Sequence, residues 1–203
     1  MKVLEHGGRI GRTLLFLPCT AEPVWAFAET IALLSEQWHV FQVVFDGHEP
    51  EEPGEFTSVE QTVDEVTEYL KAHGIARLDA AYGCSLGGAC LTRFLALGEI
   101  PVGRAIRNVF WSGNNYALPQ MPAAGGAKIT YWYGDDEKKD RRSNIRFIKR
   151  YFPQIRIHGI PKMAHAELVI VHPEEFCRCA EKFLSGPAEA AQPAGAQDRR
   201  MTR

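Results

Sequence analysis

The sequence predicts an α/β protein, a three-layer α/β/α sandwich around a mostly parallel sheet. Three observations lead there. Short apolar or β-branched runs alternate with segments of helical periodicity in near-strict order, as in a parallel sheet covered by helices on both faces. The chain has 203 residues, enough for one such domain with a substantial core. Its hydrophobic content of 45% and charged content of 24% are those of an ordinary globular protein.

The elements follow in order. "TLLFLP" (13–18) is a continuous apolar run, which suits a strand buried on both faces. Residues 22–36 read as a helix, with Val24, Phe27, Ile31 and Leu34 at helical spacing and Pro23 near the start. "HVFQVVF" (39–45) is a strand ended by Asp46-Gly47, and an acidic, Pro-rich loop covers 49–56. The second helix, 57–74, carries the stripe Val59, Val63, Val66 and Leu70, a cap at Ser58 with Gln61, and a stop at Gly74. Further strands are read at 78–83, 106–112, 127–134 and 154–160. Helices are read at 85–98, 140–152 and 172–184, with Pro173 in the first turn of the last.

Residues 113–126 read as loop. The segment after Leu184 is rich in Ala, Pro, Gln and Gly and has no aromatic residue, so it cannot bury enough surface to order itself. One folded domain over 1–185 and a disordered tail over 186–203 are expected. No internal repeat is present.

Net charge and cysteine use narrow the function. A formal charge of -2 gives no reason to expect nucleic acid or a membrane surface as partner. Five cysteines with no secreted spacing, and a Cys177-x-Cys179 pair with no second pair or nearby histidine, point to free thiols rather than disulfides or zinc. The first residues lack the apolar centre of a signal peptide, and no run reaches the ~18 apolar residues of a membrane span. A cytoplasmic location is expected.

In open parallel sheets, ligands bind at the C-terminal strand edges. There the sequence puts Cys19-Thr20, then Asp46 to His48, then Cys84-Ser85, then Asp135 to Glu137, then Lys162 to His165. A serine, an acid and a histidine stand at successive edges in that order. A serine hydroxyl needs a histidine to take its proton and a carboxylate to orient the imidazole. The other reading of Ser85 is a small residue in a Gly-rich turn.

Gly83-Cys84-Ser85-Leu86-Gly87 resembles the Gly-x-Ser-x-Gly nucleophile elbow of the α/β-hydrolases, and it falls between a strand and a helix. The resemblance covers about residues 13–184 in element order, and it is to compact bacterial members with a reduced cap. It implies Ser85 as nucleophile and His165, after the last strand, as base. Glu137, three residues after Gly134, is the implied acid, with Asp136 as the alternative. The backbone N–H groups of Leu86 and Thr20 would form the oxyanion hole. In that loop Pro18 and Cys19 replace the His and Gly frequent in the family.

The implied activity is hydrolysis of a small-molecule ester or thioester through an acyl-enzyme, with no metal and no organic cofactor. An acyltransferase or peptidase with the same triad, or a non-catalytic binding protein of this fold, are the alternatives. The short connection at 113–127 implies an open site, with Trp111, Tyr116, Leu118 and Met121 at its rim or packing the loop onto the domain.

Overall fold

The computed structural model describes residues 1–9, 11–51, 54–108, 116–119, 126–139 and 141–186. The strands are β1 (Lys2–His6), β2 (Arg12–Leu17), β3 (Trp38–Val44), β4 (Leu78–Cys84), β5 (Val102–Asn108), β6 (Lys128–Gly134) and β7 (Arg156–Ile160). The helices are α1 (Ala28–Ser35), α2 (Val59–Ala72), α3 (Leu86–Leu97), α4 (Arg141–Tyr151), α5 (Glu167–Val171) and α6 (Pro173–Leu184). Short 3-10 turns precede α1 at Val24–Phe27 and follow β6 at Asp135–Glu137.

The strands form one seven-stranded sheet in the order β1-β3-β2-β4-β5-β6-β7. Only the β1–β3 pair is antiparallel, with Val3 opposite Val43; the other pairs are parallel. Strand alternation splits the core into two layers. Leu15, Leu17, Val43, Ala81, Ala105 and Tyr131 face α2, α3 and α4. Leu14, Phe16, Tyr82, Ile106 and Trp132 face α1, α5 and α6. Every residue of β3 is buried, including His39 and Gln42.

The order also fixes where a crevice opens. From β2 the chain moves to β3 on one side, and from β4 it moves to β5 on the other. The loops after β2 and β4 therefore part at the switch point of the sheet.

Three expectations are corrected. β1 was not expected: five residues with no continuous apolar run give no strand signal, and its order comes from pairing along β3. The fifth strand runs over Val102–Asn108 rather than 106–112, and 109–112 lie outside the described residues. Gly103 and Arg104 give no strand signal in sequence, and Arg107, inside the expected strand, is buried. Its Nε donates to Thr92 Oγ1 at 2.5 Å, and its guanidinium lies 5.3 Å from the Tyr131 ring centre. Those contacts offset much of the cost of burying the charge.

The helix expected over 22–36 is divided, because Phe27 leaves helical geometry (φ -108°, ψ 6°) to set its ring edge-on to Phe16 at 5.4 Å. The Ser58 cap is present, its hydroxyl accepting the Gln61 N–H at 3.1 Å. The tail from 187 onward lies outside the described residues. Among the described residues no helix is long and apolar enough to cross a membrane.

Candidate active site

Ser85 stands between β4 and α3 with φ 52° and ψ -116°, a left-handed backbone that a non-glycine residue adopts only when its surroundings force it. Such strain costs about 1–3 kcal/mol. The forcing comes from both sides. The Ser85 N–H donates to the Asn108 carbonyl at 2.6 Å, pinning the turn to the end of β5. A Cβ on Gly83 would lie 2.5 Å from the Gly87 carbonyl oxygen, and one on Gly87 would lie 2.1 Å from that of Leu17. Both positions must be glycine for the strand, the turn and the neighbouring loop to pass so closely.

The loop after β2 is docked on the start of α3, since Pro18 accepts the Gly87 N–H at 3.0 Å. The Cys19 side chain is buried in the core beside Tyr82 and Cys84 rather than crowding the turn. A hydrogen bond with Cys84, then burial, holds its thiol far above the usual range. Neither cysteine is a candidate thiolate nucleophile: Cys84 is itself fully buried. Leu86 is the first residue of α3, where backbone N–H groups lack partners within the helix. Thr20 is exposed at the other side of the crevice.

On the far side of the site, the 3-10 turn after β6 buries Glu137 and leaves Asp135 and Asp136 exposed. Asp140 lies outside the described residues. Glu137 Oε1 is 3.6 Å from His165 Nδ1. Of the described acids in the "DDE" turn, Glu137 is therefore the one that meets the histidine.

His165 sits in the loop between β7 and α5, flanked by left-handed residues at Lys162 (φ 56°) and Ala166 (φ 60°). Burial pushes the His165 pKa below its ordinary 6.5; Glu137 pulls it back up and Arg141 pushes it further down. The two loops are tied together where the Asp136 N–H approaches the Met163 carbonyl at 3.4 Å.

No family model matches the chain, and no curated protein matches it in sequence. Solved structures do match. A protein of the α/β-hydrolase family from Desulfitobacterium hafniense superposes with a TM-score of 0.74 at 17% identity, over 89% of this chain and 99% of that one. Carboxylesterase CesB from Bacillus subtilis gives 0.68 at 14%, over 91% and 87%. A lipase-esterase related protein from Clostridium acetobutylicum gives 0.67 at 14%, over 90% and 98%.

The chain has the α/β-hydrolase fold.

Around this candidate site the remaining residues are sorted by position. His48 lines a small, shallow cleft at the ends of β2 and β3, with Pro18, Glu22, Val24, Phe27 and Glu49. His172 stands at the start of α6 without a side-chain cap bond, 3.7 Å from Glu167. His158 lies on β7, away from the strand's C-terminal end. Tyr116 and Leu118 are partly buried and pack against the core; Trp111 and Met121 lie outside the described residues. Among the described residues no three His, Cys, Asp or Glu side chains are grouped to hold a metal ion.

Sequence reasoning missed Arg141. It reads as one more cation on a basic helix, yet its side chain is 1% exposed and its Nη2 donates to Glu137 Oε1 at 2.6 Å. The available signal was the i,i+4 spacing from Glu137, which brings two side chains together only if the turn at 135–137 runs on towards helix.

Proposed function

We propose that this α/β-hydrolase-fold chain is a serine hydrolase acting on a small-molecule ester or thioester. The observation that carries the reading is the backbone of Ser85: a non-glycine residue at φ 52°, hemmed between Gly83 and Gly87, at the switch point of the sheet. Strain of this kind persists where the exposure of one side chain is worth its cost. The Glu137–His165 approach supports the same reading, and CesB is a carboxylesterase by name.

In this mechanism His165 takes the Ser85 hydroxyl proton as Oγ attacks the substrate carbonyl carbon. The Leu86 and Thr20 N–H groups hold the oxyanion. Collapse breaks the ester or thioester bond, and the alcohol or thiol leaves with the proton from His165. Water then attacks the acyl-Ser85 carbonyl, giving a proton to His165; the acyl–Oγ bond breaks, Ser85 Oγ takes that proton back from His165, and the free acid departs. Glu137 orients His165 and stabilises the imidazolium. No step calls for a metal or an organic cofactor.

One observation favours a non-catalytic alternative: at 3.6 Å the Glu137–His165 spacing is longer than a hydrogen bond. Catalytic pairs commonly tighten only with substrate bound. A fluorophosphonate probe decides. Labelling of folded wild-type protein that disappears in Ser85→Ala is the expected result. Absence of labelling, with no turnover of a panel of esters and thioesters, would refute the hydrolase.

A further inference from the structure

Glu137 does not serve His165 alone. The same carboxylate oxygen, Oε1, takes a hydrogen bond from Arg141 Nη2 at 2.6 Å and faces His165 Nδ1 at 3.6 Å. The other oxygen, Oε2, is buried and accepts no hydrogen bond among the described residues. The arginine grip is therefore monodentate and falls on the oxygen the imidazole would use. Arg141 and Glu137 are 1% and 8% exposed, so water screens this competition only weakly.

We infer that Arg141 is a positioning residue that holds Glu137 back from His165 and moderates the pull of the carboxylate on the imidazole. The inference rests on the hydrolase reading for its purpose, and on the geometry of three side chains for its content.

The physical consequence is a base kept neutral. A buried carboxylate bonded only to a histidine stabilises the imidazolium and raises its pKa. Here Arg141 takes up part of that negative charge and adds its own positive charge nearby. With burial it holds His165 below 6.5, against Glu137. A histidine in that state can accept the serine proton at pH values where an ordinary histidine is already half protonated.

Other titratable and charged groups among the described residues face elsewhere. From β6 and its turn come Tyr131, Tyr133, Asp135, Asp136, Lys138 and Lys139; Tyr131 feels both Glu137 and Arg141, Asp135 Oδ1 is directed at β7 beside Gly159, and the two lysines are exposed. From β5, Arg107 is directed at the Tyr131 ring. From β7 and its loop come His158 and Lys162, both exposed. From α5, Glu167 is engaged by the Ala164 N–H at 2.7 Å and lies 3.7 Å from His172. Among the described residues, Glu137 and Arg141 are charged side chains that act on His165, in opposite directions.

The test is titration of His165 by imidazole NMR in full-length Ser85→Ala protein, with the resonance assigned through His165→Gln. It needs no turnover, so it stands apart from the hydrolase reading, which the fluorophosphonate probe tests. The expected midpoint for His165 lies below 6.5. Arg141→Met on that background raises it by about one pH unit, the usual effect of removing a nearby cation and freeing the carboxylate. Arg141→Lys, which keeps the charge, holds it close to the parent value.

In otherwise wild-type enzyme, the acid limb of the kcat/KM profile moves up with Arg141→Met by the same amount. A role in stability alone would lower Tm and scale activity at every pH without moving that limb. An unchanged or lowered midpoint in Arg141→Met overturns the inference. Should that variant not fold, a parent His165 midpoint at or above 6.5 overturns it equally.

Discussion

Gly134 links the acid loop to the histidine loop, and adding one methyl group there tests the architecture of the site. A Cβ on Gly134 would lie 1.9 Å from the Met163 carbonyl oxygen and 2.5 Å from its carbonyl carbon, whereas real Cβ contacts essentially never fall under 3.0 Å. Something must move by about 1 Å, and β6 is the less free to do so because it is paired on both edges, to β5 and to β7.

The segment before His165 must then yield, breaking the approach of the Asp136 N–H to Met163 and widening the 3.6 Å gap from Glu137. A misplacement of about 1 Å in a catalytic constellation costs on the order of 10²-fold in rate. Backbone overpacking of this kind costs about 1–3 kcal/mol in stability. The assay is kcat/KM on an ester that wild type turns over, with urea unfolding alongside. Gly126→Ala is the control, because a Cβ there meets nothing within 4 Å among the described residues. Gly134→Ala with wild-type kcat/KM would refute the claim that these two loops are held in register by close backbone contact.

Two further outcomes are expected. Glu137→Gln keeps an acceptor for Arg141 but removes the charge between the buried Arg141 and the half-buried His165, so stability falls by about 1.5–3 kcal/mol in urea unfolding and kcat by about 10²- to 10⁴-fold. Ser58→Ala removes the hydroxyl that accepts the Gln61 N–H and lowers Tm by about 2–4 °C, the equivalent of about 1 kcal/mol, with ester hydrolysis unchanged.

Much of the fold was legible because its strands are buried on both faces and its helices on one. "TLLFLP" and "ITYWYG" could bury themselves only in the middle of a sheet, and the stripe on α2 could meet only a sheet face. What escaped has its order from neighbours. β1 has no apolar run and was not read at all, and the strand read at 106–112 begins earlier, at Val102, and carries a buried arginine that Thr92 and Tyr131 receive.

The site divides along the same line. Local covalent pattern marked Ser85: glycines two residues before and after it declare a crowded turn, and the turn is there with φ 52°. Chain order brought the acidic cluster and His165 to the same sheet edge, since parallel strands end together. Which acid faces the histidine was a different kind of question. Adjacent residues in "DDE" differ only in the direction their side chains take from a single 3-10 turn, and packing sends Glu137 inward while Asp135 and Asp136 go to solvent. The grip of Arg141 is likewise invisible in a run of five cations among the residues of α4, because sequence records its charge but not its burial. Composition and periodicity depend on each residue's own chemistry, and so they specify the layers and the crowded turn at Ser85. The partners of Glu137 depend on distances between side chains on different elements, and those exist only once the sheet has formed.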